Sequence, residues 1–277
     1  MTTLKHHTIL YDRDCPLCLW YTNIFAKYGF LDRTGRQPYQ NWVEYNLPFV
    51  DMNKARNEIA LINQQNGHVF YGVDSLVEVL GSKWPLVKWF YQFAIIRLML
   101  KLLYKFISFN RKIFAPSITC KSACVPSKSW FWRTVFIALS LCVVQFGVHY
   151  YFTNHLGTFY NPVFWINEMY LFMGQLLFQG VWLLVLREKK GYDYFGHVSF
   201  VSAVGAVLLM AGGYLIQILA NLPFNTALFG ALGFGIIFCW MFLEHKRRVK
   251  ITGFHPALTY TWVLYRILIY PLVFNVL

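Results

Sequence analysis

The chain has 277 residues, of which 57% are hydrophobic, 19% aromatic and only 13% charged, about half the charged share of an ordinary soluble domain. That excludes a disordered chain and a wholly soluble one. A net charge of +13 would suit nucleic acid, but the basic residues stand beside long apolar runs, so the expected partner is a lipid bilayer and no nucleic acid.

Charge is unevenly spread. Residues 1–129 carry 16 basic and 8 acidic side chains, whereas 130–277 carry 9 and 4. The stretch from Val125 to Ser129, rich in Pro, Ser and Lys, reads as a linker. Two domains follow: 1–128, globular and cytosolic, and 129–277, helical and transmembrane. Met1 to His7 is polar, and the apolar run after it is too short for a signal peptide.

His7 to Tyr11 is a short β-type run. Asp12-Arg13-Asp14-Cys15-Pro16-Leu17-Cys18 follows, and a helical pattern then covers Leu19 to about Tyr28. This order is strand, turn, Cys-x-x-Cys, helix. A cysteine where a helix opens faces unpaired N–H groups and the positive end of the macrodipole, so its thiolate is stabilised. Pro16 fits the opening of a helix. Cys18 is close enough to close a disulfide with Cys15. Asp12 and Asp14 oppose the thiolate by like charge and Arg13 favours it, so the sign of the net shift stays open. Further on, Glu58–Asn63 and His68–Tyr71 flank Gln64-Gln65-Asn66-Gly67, which predicts a β-hairpin. A helix over Leu76–Leu80 should start on Asp74 or Ser75 as its cap.

Trp84 to Phe114 alternates aromatic and aliphatic residues with Lys88, Arg97, Lys101, Lys105, Arg111 and Lys112. Arg97, Lys101 and Lys105 share one helical face. Two roles are open to it: lying on an anionic leaflet, or packing its apolar face on the domain core.

Three ordered motifs carry a resemblance. Tyr-Asp-Arg-Asp-Cys-Pro-Leu-Cys (11–18), Asn-Gly-His-Val-Phe-Tyr-Gly-Val-Asp-Ser-Leu (66–76) and Phe-Ile-Ser-Phe-Asn-Arg (106–111) resemble the DCC family of thiol-disulfide oxidoreductases over about residues 8–125. The resemblance implies an α/β thioredoxin-like fold and a catalytic set of Cys15 and Cys18 with Asp14 of the Asp-Cys-Cys signature. It also implies a redox-active disulfide in place of any cofactor. One departure is plain: thioredoxins proper carry a cis-proline before the third strand, and no proline precedes Glu58–Asn63 here.

Cys120 and Cys124 close the first domain. They are open to three readings: a second redox pair, a Cys₄ zinc site with Cys15 and Cys18, or two ordinary reduced thiols.

In the second domain, apolar segments at about 132–152, 163–186, 197–220 and 224–243 are long enough to cross a bilayer. A fifth, 258–277, is shorter and holds Arg266 and Pro271. Four or five spans are expected. The connection 187–196 carries Arg187, Lys189 and Lys190, and the one after residue 243 carries Lys246, Arg247, Arg248 and Lys250. The connections between carry no Lys or Arg. This alternation predicts a multi-pass protein of the plasma or inner membrane with a cytoplasmic N-terminal domain. Gly205, Gly212, Gly213, Gly230, Gly233 and Gly235 point to close helix packing.

The expected function is membrane-anchored thiol-disulfide exchange at Cys15 and Cys18, reducing a protein or small-molecule disulfide and recycled by a separate reductant. The rivals are a non-catalytic scaffold that binds zinc or nothing, and a transporter or electron conduit using Cys142 or Cys239.

Overall fold

The computed structural model describes residues 3–42, 50–117, 129–157, 167–219 and 226–273. They fall into two compact units, Met1–Arg133 and Thr134–Leu277. Cys120, Cys124 and most of the expected linker lie outside the described residues.

The first unit runs β1 (His7–Tyr11), α1 (Pro16–Lys27), β2 (Arg36–Pro38), a 3₁₀ turn (Tyr39–Asn41), α2 (Met52–Asn57), β3 (Ala60–Asn63), β4 (Val69–Tyr71), α3 (Val73–Gly81), α4 (Pro85–Tyr91) and α5 (Ala94–Phe114). The strands form one sheet in the order β2-β1-β3-β4. β1 is parallel to β2 and antiparallel to β3, and the predicted hairpin pairs Ala60 with Tyr71 and Ile62 with Val69. This small mixed sheet with helices is thioredoxin-like.

The central strand explains the core. Ile9 and Leu10 point to opposite faces, because side chains alternate along a strand. Ile9 packs with Leu61, Phe25, Phe30 and Val79. Leu10 packs with Tyr39, Ala55, Ala60 and Ile62. With both faces covered, the strand reads as a continuous apolar run. Each such side chain contributes about 1.5–3 kcal/mol on burial.

Helix α1 opens at Pro16, as that residue's fit to a helix start predicts, so Cys18 lies inside its first turn. One sequence expectation needs correction. Helix α3 is capped by Gly72 at φ +58°, and neither Asp74 nor Ser75 is the cap. Ser75 is instead buried, and its hydroxyl donates to the carbonyls of Phe70 at 2.7 Å and Ile59 at 3.2 Å. The aromatic-basic stretch is two helices, because the chain turns at Gln92 and Phe93.

The second unit contains α6 (Trp130–His155, whose first turn counts with the first unit), α7 (Asn167–Val185), α8 (Gly191–Leu219), α9 (Thr226–Thr252) and α10 (Ala257–Val273). Among the described residues three helices are long and apolar enough to cross a membrane: Trp130–His155, Gly191–Ile218 and Thr226–Thr252. The second and fifth expected spans fall on shorter apolar helices, Met169–Val185 and Ala257–Ile269. Another correction concerns α9, which runs through Lys246, Arg247, Arg248 and Lys250 to Thr252. Glu244 accepts from Arg247 and Arg248 at 2.7 and 2.8 Å, pairs at helical spacing that favour continuing the helix.

Several of the singled-out glycines stand at close approaches. A Cβ on Gly213 would meet His155 at 2.8 Å, and one on Gly233 would meet the Tyr151 hydroxyl at 2.7 Å. Gly235 faces open space. Two polar side chains inside the unit find partners: His245 lies between the Tyr194 and Thr259 hydroxyls at 3.1 and 3.2 Å, and Arg266 donates to Gln175 at 3.1 Å.

Candidate active site

Cys15 is the residue that caps α1. Its backbone is extended, and its sulfur accepts the N–H of Cys18 at 3.4 Å. Pro16 occupies the first helical position, and no acidic residue lies in the first turn. The helix therefore opens directly onto the sulfur with its unpaired donors and positive end. Both cysteines are reduced. The two are equally covered, with Cys15 at 5% and Cys18 at 6% exposure.

Electrostatics separates what exposure does not. The Cys18 thiol donates to the Cys15 sulfur, and this contact, aided by the charge of Arg111 and the Cys18 backbone N–H, lowers the Cys15 pKa from 9.0 to about 7 against the opposing effects of burial and Asp12. The same contact, with burial and the Cys15 charge, pushes Cys18 upward and holds it protonated. One sulfur is poised as a thiolate and the other as its proton donor.

The charges around the pair differ from those expected. Asp12, not Asp14, forms the buried ion pair. Its Oδ2 accepts from Arg111 Nη2 at 2.8 Å, and its Oδ1 accepts from the Asp14 backbone at 3.0 Å and from Gln40 Nε2 at 2.8 Å. Asp14 contributes its N–H to this arrangement and is half-buried. Arg13 is exposed, and its backbone N–H donates to Gln40. The cation acting on the thiols is therefore Arg111, brought from the far end of α5, where it also donates to the Arg56 carbonyl at 3.0 Å. Sequence reasoning assigned Arg111 no role at the site, although it is the last residue of the third quoted motif.

Two tyrosines complete the surroundings. Tyr21 donates its hydroxyl to Cys18, and burial followed by the Cys18 charge raises its pKa. The Tyr104 hydroxyl accepts the N–H of Ile59 at 2.8 Å. Ile59 stands just before β3, where a thioredoxin would place its cis-proline, and no peptide bond among the described residues is cis. On the other side, Thr22 donates to the Cys18 carbonyl at 2.7 Å and accepts from Arg36 at 3.1 Å, so β2 braces the first turn of α1.

Among the described residues no three His, Cys, Asp or Glu side chains are grouped to hold a metal ion. The zinc set and the second redox pair both require Cys120 and Cys124, which fall outside those residues. Cys142 and Cys239 are exposed on α6 and α9.

No curated protein and no solved structure matches the chain. Residues 9–115, however, match the family model described as DCC1-like thiol-disulfide oxidoreductase. That segment begins in β1 and ends just past α5, so it contains both cysteines, Asp12 and Arg111. The N-terminal domain, though not the helical region after it, is thus similar to the DCC1-like thiol-disulfide oxidoreductase family.

Proposed function

We propose that the protein is a membrane-anchored thiol-disulfide oxidoreductase in which Cys15 attacks and Cys18 resolves. The observation that carries this reading is the division of labour at the mouth of α1: a sulfur that ionises near neutral pH beside one held protonated. The Cys15 thiolate attacks one sulfur of a substrate disulfide. A new S–S bond forms, the substrate S–S bond breaks, and the first substrate thiolate leaves. Cys18 then gives up its proton and attacks the Cys15 sulfur. The second substrate thiol is released, and the chain keeps a Cys15–Cys18 disulfide. Two electrons have passed to the substrate, and a separate thiol reductant returns them. No bound cofactor takes part in either step.

The anchoring part of the reading is supported by the three long apolar helices, and a cytoplasmic dithiol by the alternation of basic and uncharged connections. Reduction is the direction that a reducing compartment favours.

The test is acid-quenched alkylation mass spectrometry on the protein in its native membrane, across a graded thiol/disulfide buffer, with zinc assayed in parallel. The expected result is a reversible Cys15–Cys18 disulfide with a defined midpoint and no zinc. Cysteines that stay reduced across the range, or one zinc per chain, would overturn it in favour of a non-catalytic scaffold.

A further inference from the structure

Helices α4 and α5 present an outer surface of the wrong kind for water. No residue of α4 is buried, and in α5 only Asn110, Arg111 and Ile113 are, all at its C-terminal end. At 100° per residue, Tyr104, Ser108 and Arg111 share one side of α5. These three bond inward, to Ile59, to the Asn57 carbonyl and to Asp12. The opposite side carries Ile95, Leu98, Met99 and Leu102, with Ile95 75% and Met99 64% exposed. Trp89, Phe90 and Phe93 continue the apolar surface onto α4. A soluble domain would turn its polar face outward here.

Charge and continuity say what covers this face. Trp84–Phe114 contains six basic residues and no acidic one. Lys88 and Lys101 are paired with Glu78 and Asp74. Lys105 borders the apolar stripe, exposed and without a carboxylate among the described residues, whereas Arg97 lies on the side of α5 that carries Tyr104. Exposed basic side chains beside Trp, Phe and Leu are the pattern of a helix lying in the headgroup layer. The far end of α5 is also fastened to the start of a membrane-length helix. Asn110 donates to the Trp132 carbonyl at 3.1 Å, and the Phe106 ring meets the Trp132 ring edge-on with centroids 6.5 Å apart.

We infer that the apolar outer face of α4 and α5 docks on the anionic lipid leaflet at which α6 begins, with Lys105 at the lipid phosphates. This rests on the membrane-anchored reading above and adds a second, peripheral attachment that holds the dithiol domain against the bilayer surface.

The test uses the full chain in nanodiscs doped with a phospholipid carrying a photoreactive group on its acyl chain. One disc is phosphatidylcholine alone, and the other is equal parts phosphatidylcholine and phosphatidylglycerol. Cross-linked peptides are mapped by mass spectrometry. The expected result is label on α6, α8 and α9 in both discs, and label on α4 and α5 that rises several-fold in the anionic disc. The variant K105E should lose most of that rise while keeping its circular dichroism and the Cys15 titration. Label on the spans with none on α4 and α5, as a second copy covering the face would give, overturns the proposal. Equal label on α4 and α5 in the two discs also overturns it. Absence of label on α6, α8 and α9 would overturn the anchored reading itself, and the docking with it.

Discussion

Arg111 donates to Asp12 at 2.8 Å across 99 residues of sequence, and the two side chains are 8% and 6% exposed. This buried pair ties the end of α5 to the turn before the cysteines, and its two charges act on Cys15 with opposite signs. Arg111→Gln should therefore raise the Cys15 pKa and Asp12→Asn should lower it. Each also leaves a buried charge uncompensated, at a cost of about 3–5 kcal/mol in stability. Iodoacetamide rates against pH, with the folded fraction followed in parallel, separate the two effects. Shifts of the same sign in both variants would refute this electrostatic account.

The pH dependence of the wild-type protein follows from the same site. Alkylation of Cys15 should rise through a midpoint of about pH 7 instead of 9.0, while Cys18 stays unreactive over the neutral range. Cys18→Ala removes the thiol that donates to Cys15 and should move the midpoint upward. Stability carries the matching sign. Because the folded pKa lies below the unfolded one, the contribution of the reduced Cys15 is complete above 9.0 and disappears as pH falls through about 7.

Gly72 is a second point of sensitivity. It holds φ at +58°, and a Cβ there would stand 2.6 Å from Glu58 Oε2 and 3.2 Å from the Tyr104 ring. Gly72→Ala should destabilise the first unit by about 1–2 kcal/mol from backbone conformation alone, and by more from the clash. Tyr104→Phe should cost about 1–3 kcal/mol, because the Ile59 N–H loses its acceptor. Pulse proteolysis of the full chain would measure both. A Gly72→Ala protein as stable as the parent would contradict the conformational argument.

Topology can be read directly from cysteine labelling in a chain whose own cysteines are replaced by serine. An impermeant maleimide should reach Gly157→Cys in intact cells, and Lys189→Cys only after permeabilisation. Both sites labelling from the same side would remove the basis for a cytoplasmic dithiol.

Much of the first unit was legible because its signals are local. The β1 run, the Cys-x-x-Cys turn and the Asn-Gly hairpin each place their determinants within a few residues. The site's cation was hidden for the opposite reason: nothing near Cys15 in sequence indicates that Arg111 will reach it, and Arg13, two residues away, was the natural candidate. Strand β2 was missed because Arg36-Gln37-Pro38 has no apolar alternation, and its strand character comes from parallel pairing with β1. The basic end of α9 resembles a loop by composition, and Glu244 gives it helical pairs instead.

Asn110 and Arg111 are neighbours on α5. One holds the Trp132 carbonyl in the first turn of α6, and the other holds the carboxylate beside the thiols. A single peptide bond thus separates the grip on the membrane-length helix from the grip on the redox turn. The segment that holds Asp12 and the turn that opens α6 therefore lean on the same two residues, so a substitution at either one bears on both.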